Sequence, residues 1–189
     1  MKFTREQLDA HRGQTVPDLL PEDLKLLFVG INPSLWTAAT GAHFARPGNR
    51  FYPALFQAGI ADRLIDASSG YSEEDLDHLR DRGIGVSNLV PVATARADEL
   101  TTEQLREAPA RLTTLVNERR PRVVSVLGLT SYRQAFRQPK AKAGEQPSPW
   151  SDVRLFVLPN PSGLNAHESV ASLAAAYAEA ATAAGIELY

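Results

Sequence analysis

The chain has 189 residues, 43% of them hydrophobic and 22% charged, which is enough for one well-buried core and short for two domains. It contains no cysteine, which excludes disulfides, thiolate-held zinc and iron–sulfur clusters and leaves the cytosol as the default compartment. A formal net charge of −2 lacks the basic surplus usual for nucleic-acid binders; no run approaches the ~18 uninterrupted apolar residues of a membrane span, and no apolar signal core is expected in the opening residues.

Thr4 opens a short predicted helix that reaches about residue 12. The Pro-punctuated segment Val16 to Pro21 leads into Leu26-Leu27-Phe28-Val29, a buried strand ended by Gly30. Asn32 follows, pushed toward extended backbone by Pro33. A structured loop of about twenty residues is expected next. It carries Trp36 and Phe44, few charges, and the basic residues Arg46 and Arg50. A helix over Phe51 to Ala58 is expected, since Pro53 is tolerated only in a first turn and Gly59 suits the end.

Ser72-Glu73-Glu74-Asp75 resembles a capping box, and Gly83 to Val90 reads as a second apolar strand closed by Pro91. Thr101 caps an amphipathic helix over Thr102 to Arg119, in which Pro109 is an irregularity. Arg122 to Leu127 is a buried strand, and Thr130 to Phe136 a helix. Gln138 to Trp150, with Lys140 and Lys142, reads as a mobile, solvated loop. Val153 to Leu158 is the last strand. Asn165-Ala166-His167-Glu168 reads as another capping box, opening a closing helix through Leu173, Tyr177 and Ala184.

Apolar strands alternating with amphipathic helices predict one three-layer α/β/α domain spanning 1–189, with a mostly parallel sheet of four or five strands. In such sheets ligands bind at the carboxyl ends of the strands. Two of those ends run into Asn-Pro-Ser: Asn32-Pro33-Ser34 and Asn160-Pro161-Ser162. If the two strands are parallel, the segments line one cleft from two sides.

Gly30-Ile31-Asn32-Pro33, Phe44-Ala45-Arg46-Pro47-Gly48-Asn49-Arg50-Phe51 and Leu158-Pro159-Asn160-Pro161-Ser162-Gly163-Leu164 together resemble the mismatch-specific uracil-DNA glycosylase and thymine-DNA glycosylase family, within the wider uracil-DNA glycosylase superfamily. The likeness runs from about Leu24 to Tyr177. It implies a monofunctional hydrolase that flips uracil from double-stranded DNA, preferably from G·U pairs and with ethenocytosine-type lesions as further substrates. The product would be an abasic site for base excision repair. It implies Asn32 as the catalytic residue that positions water, with Ile31, Ser34, Thr37, Phe44 and Asn160 around the uracil. Phe44 would stack on the base, and backbone N–H groups near Ile31 and Phe44 would stabilise the departing anion. Ser162, Gly163, Leu164 and Asn165 would form the loop that intercalates and reads guanine, with Leu164 as the wedge. The resemblance implies no metal and no cofactor, and a monomer acting on DNA is expected.

Three positions depart from the family: Ser34 replaces a glycine, Pro91 replaces an acidic residue, and Asn165-Ala166-His167 follows the wedge with one residue more than usual. Asp98 is the alternative catalytic group where the missing acid had a role. His43 and His167 read as solvent-facing or capping groups. Two other functions fit the same residues: a non-catalytic or very slow binder of mismatched or abasic DNA, and a small-molecule nucleoside hydrolase, which has no use for a wedge.

Overall fold

The computed structural model describes residues 3–189. Its centre is a five-stranded sheet in the order β2-β1-β3-β5-β4, formed by β1 (Leu26–Gly30), β2 (Ile84–Asn88), β3 (Val123–Leu127), β4 (Gly144–Gln146) and β5 (Arg154–Leu158). β1, β2, β3 and β5 are mutually parallel, and β4 is an antiparallel edge. The four parallel strands are buried on both faces, which explains their unbroken apolar runs. Leu26, Phe28, Val123, Phe156 and Leu158 face one core, and Leu27, Val29, Val124, Val126, Leu155 and Val157 face the other.

The first core is covered by α3 (Phe51–Gln57), α4 (Glu73–Asp81) and α7 (Val170–Ala183), and the second by α5 (Thr102–Arg119) and α6 (Leu129–Ala135). This is the three-layer α/β/α arrangement expected from the alternation. From β1 the chain passes to β2 on one side, then returns to β3 on the other. The strand order therefore reverses at the carboxyl ends of β1 and β3, where a crevice opens.

Capping reads well from the sequence. Thr4 caps α1 (Arg5–Asp9), Ser72 caps α4, and Thr101 with Gln104 boxes α5. Pro109 sits inside an unbroken α5. Three expectations are corrected. The long loop contains a helix, α2 (Leu35–Thr40), capped by the Ser34 hydroxyl and ended by Gly41 in the left-handed region at φ 74°. The stretch read as a mobile loop contains β4, whose register on β5 pairs Gly144 with Val157, while Trp150 is buried and donates to Thr113 Oγ1 at 3.0 Å. Asn165 does not open the closing helix: α7 starts at Val170, capped by Ser169 in a box with Ser172. Residues 162–168 instead form turns, because the short Ser169/Ser172 pair satisfies the first free N–H groups of α7 and Asn165 makes contacts elsewhere.

Candidate active site

A cleft of about 570 Å³ lies at the carboxyl ends of β1, β2 and β3 and the loop after β5. Both Asn-Pro-Ser segments line it, through Asn32, Ser34, Asn160 and Ser162. No helix of the described residues is long and apolar enough to cross a membrane, and among them no three His, Cys, Asp or Glu side chains group to hold a metal ion.

Asn32 is held by its amide nitrogen. Nδ2 donates to the Val92 carbonyl at 2.8 Å and to Thr94 Oγ1 at 2.8 Å. A carbonyl can only accept, so the amide orientation follows from chemistry. Thr94 Oγ1 passes its own hydrogen to the Arg96 carbonyl at 2.8 Å, so it too must accept from Asn32. With both amide hydrogens engaged, Oδ1 is the atom left to present to the cleft. The backbone supports the same geometry: Val90 N–H donates to the Ile31 carbonyl at 2.9 Å and Thr94 N–H to the Pro33 carbonyl at 3.2 Å.

Ser34 lines the cleft as a cap. Its Oγ accepts from Thr37 N at 3.1 Å and lies 3.1 Å from Thr37 Oγ1. The Ser34 hydroxyl thus caps α2 within the pocket wall. Trp36 packs away from the chemistry, donating to the Ser68 carbonyl at 2.8 Å and meeting the edge of Phe3.

Phe44 has a φ of 55°, a left-handed conformation that costs a non-glycine residue about 1 kcal/mol. The preceding residue is held at both its backbone groups. Tyr52 Oη donates to the His43 carbonyl at 2.9 Å, His43 N–H donates to Tyr71 Oη at 3.1 Å, and the two tyrosine hydroxyls lie 2.6 Å apart. Burial pushes Tyr71 up to about 12 and Tyr52 well above its usual range, so both stay protonated. The Phe44 ring stacks on Phe51 at 4.1 Å and overhangs Gly30. A Cβ on Gly30 would come within 2.8 Å of Asn88 Oδ1 and 3.2 Å of the Phe44 ring. Gly30 thus leaves the floor open, and two side chains converge over it.

His43, expected at the surface, is 2% exposed. Its Nε2 lies 2.9 Å from the Pro17 carbonyl and its Nδ1 3.4 Å from Asn88 Nδ2. Desolvation lowers its proton affinity, outweighing the Pro17 bond and the nearby Asp18 charge. Asn88, Thr94 and the Val92 carbonyl are site groups that the sequence reading did not single out. For Asn88 the signal existed: it is a polar residue closing a buried strand at the ligand-binding edge, as Asn32 nearly does. Thr94 and Val92 reach the site through a loop path that no spacing announces.

The second loop is built on Arg50. Its guanidinium donates to the carbonyls of Ser162 at 2.5 Å, Asn165 at 2.7 Å, and Glu168, while its backbone N–H donates to the Pro161 carbonyl at 2.9 Å. Gly163 lies so close to Gly48 that a Cβ would meet its carbonyl at 2.5 Å. Asn160 Oδ1 accepts from Ser162 N at 2.9 Å, and Asn165 Nδ2 donates to the Asn160 carbonyl at 3.2 Å. At the tip Leu164 is 77% exposed, a large apolar side chain held in solvent at the mouth of the cleft. Asp98 lines the rim, with its carboxylate bridged by Arg96. His167 is exposed on the loop beyond Leu164.

The site is thus an amide at the switch point of a doubly wound sheet, with an aromatic ring over the cleft floor and an exposed apolar tip at the mouth. The family model described as the uracil DNA glycosylase superfamily matches residues 17–181, and the chain belongs to that superfamily. Among solved structures it is similar to the solution NMR structure of a candidate uracil DNA glycosylase from Methanosarcina acetivorans. The TM-score is 0.55 at 18% identity, covering 88% of this chain and 98% of the other, a likeness of fold.

Proposed function

We propose that the protein is a monofunctional DNA glycosylase that flips uracil out of duplex DNA, preferably opposite guanine, and hydrolyses its N-glycosidic bond. The observation that carries the reading is the Asn32 amide, whose two hydrogens are engaged by Val92 and Thr94. Oδ1 is then a fixed acceptor that aligns a water for attack on the sugar C1′. An amide is a weak base, so its contribution is orientation. The C1′–N1 bond breaks as the water oxygen bonds to C1′, the uracil leaves as an anion, and the proton shed by the water passes to solvent. Backbone N–H groups at Ile31 and Phe44 would receive that charge on O2.

Phe44 offers its ring to the face of the base, and Asn88 offers an amide to its edge. The Ser34 and Thr37 hydroxyls line the same cleft and would crowd a 5-methyl group, so thymine is expected to leave more slowly than uracil. Leu164 would fill the gap in the stack, and the backbone near Gly163 would face the widowed guanine.

A G·U duplex, treated with the protein and then alkali, should break at the uracil. Intact strands at enzyme excess would refute the reading and favour the DNA-binding alternative. Asn32→Ala should remain folded and lose about a hundredfold in single-turnover rate, the size of effect expected from misplacing a reactant. A G·T duplex run alongside measures the methyl discrimination.

A further inference from the structure

The two acceptors that fix the Asn32 amide both rest on one segment outside the cleft. That segment, Thr4 to Thr15, precedes the superfamily region of the chain, which begins at residue 17. It forms α1 and then a strip that pairs with residues 92–93. Gly13 N–H donates to the Ala93 carbonyl at 2.9 Å and Ala93 N–H to the Gln14 carbonyl at 2.8 Å, while Thr15 bridges Val92 in the antiparallel sense. With its chain held on this side, Val92 has its carbonyl 2.8 Å from Asn32 Nδ2.

The second acceptor is reached through side chains. The Arg12 guanidinium donates to Glu99 Oε2 and to Asp9 Oδ1. The other Glu99 oxygen, Oε1, accepts from the Arg96 N–H at 2.9 Å. The Arg96 carbonyl takes the Thr94 hydroxyl hydrogen, and Thr94 Oγ1 accepts from Asn32. A line of hydrogen bonds thus runs from Arg12 through Glu99, Arg96 and Thr94 to Asn32. Arg12 and Glu99 are exposed and neither lines the cleft. An exposed pair of this kind adds little to global stability, so its consequence is local.

We propose that Glu99 and the strip Arg12 to Thr15 are positioning elements for the reaction, which fix the two acceptors of Asn32 and so keep its Oδ1 aimed at the attacking water. The inference rests on the glycosylase reading above. Without Glu99 Oε1, Arg96 is free to turn, and its carbonyl no longer claims the Thr94 hydrogen. Thr94 can then donate to Asn32 Oδ1, and the amide can reverse. Without the strip, the Val92 carbonyl is free to drift from Nδ2. Misplacing a reactant lowers the rate of the chemical step without weakening binding. Gly13 sets the path of the strip. It lies in the left-handed region at φ 78°, and a Cβ there would meet nothing within 4 Å. A substitution at Gly13 therefore acts through the backbone and not through a clash.

Glu99→Ala should excise uracil about fivefold more slowly in single turnover, the weight of one hydrogen bond. Glu99→Gln keeps an oxygen for the Arg96 N–H and should recover most of that loss. Gly13→Val, whose branched side chain opposes a positive φ, should lose about tenfold. Gly13→Asn tolerates that region and should stay near the wild-type rate. The losses should be equal on single-stranded and duplex substrates, leave affinity for an abasic-site duplex unchanged, and disappear in an Asn32→Ala background. Wild-type rates in folded Glu99→Ala and Gly13→Val, or losses that persist in full beside Asn32→Ala, overturn the proposal. The side-chain amide signals of Asn32, identified by their absence from Asn32→Ala, give a readout independent of turnover. Their hydrogens should exchange with water faster in Glu99→Ala and Gly13→Val than in the wild type, and unchanged exchange overturns the brace. An inactive wild-type protein whose Asn32 exchange still responds would refute the glycosylase reading and leave the brace standing.

Discussion

At the scale of single residues, the site works by using up hydrogen-bonding capacity on one side of a group so that the other side is defined. Asn32 shows this in its two Nδ2 bonds to Val92 and Thr94. Thr94→Val keeps the shape, removes one acceptor, and frees the amide to rotate. Its uracil excision should fall about tenfold, the weight of one buried hydrogen bond, with little change in melting temperature; a wild-type rate would dismiss Thr94 as a positioning group. His43 carries a pH signature. Burial holds its folded-state pKa below the unfolded value, which is about 6.5. The unfolded chain then binds a proton that the folded chain refuses. The stabilisation is complete above about pH 6.5 and declines as pH falls through that value toward the lowered folded one. Urea melts at pH 7 and pH 5 should show this loss, and His43→Asn should reduce it.

At the scale of elements, Arg50 joins the loop that presents Phe44 to the loop that presents Leu164. Three carbonyls of residues 162–168 converge on one guanidinium, a fork that a lysine ammonium cannot reproduce. Arg50→Lys should therefore weaken excision from duplex DNA by about tenfold or more while affecting single-stranded substrate much less, because only the duplex requires a held wedge. Equal losses on both substrates would mean that Arg50 supports the pocket and not the wedge. The helix α2 is the other local device. Ser34→Ala removes its cap and should cost about 1 kcal/mol, a fall of roughly 2–4 °C in melting temperature. Ser34→Gly should cost only a few tenths of that energy and widen the pocket wall, so its G·T activity reports how far the hydroxyl excludes a methyl group.

At the scale of the whole molecule, a formal charge of −2 gives little long-range attraction for DNA. Arg46 and Arg96 line the cleft, but Arg96 is paired with Asp98. A logarithmic plot of DNA affinity against salt should have a shallow slope, about −1 to −3, measured by fluorescence anisotropy on a duplex carrying an abasic site. A slope as steep as that of strongly basic repressors would locate a phosphate-binding face beyond the cleft. The wedge role proposed for Leu164 is tested at the same scale: Leu164→Ala should spare single-stranded uracil excision and reduce duplex excision, since only a stacked helix has a gap to fill.

The sequence by itself determined the layered sheet, because β1, β2, β3 and β5 are short apolar runs separated by helical spacing and terminated by glycine or proline. It also determined that Asn32 and Asn160 sit at carboxyl strand ends, since proline and strand burial act locally. It hid α2 and β4, whose lengths are too short to leave a periodic pattern, and misplaced the start of α7 because Asn165 and Ser169 offer equally good caps. Only the tertiary structure decided what holds the side chains. The partners of Asn32 lie 60 and 62 positions away, Asn88 meets His43 across 45, and Arg50 meets its loop across more than 110. Such pairings depend on strand order and on which way a loop returns, and neither is written in local spacing.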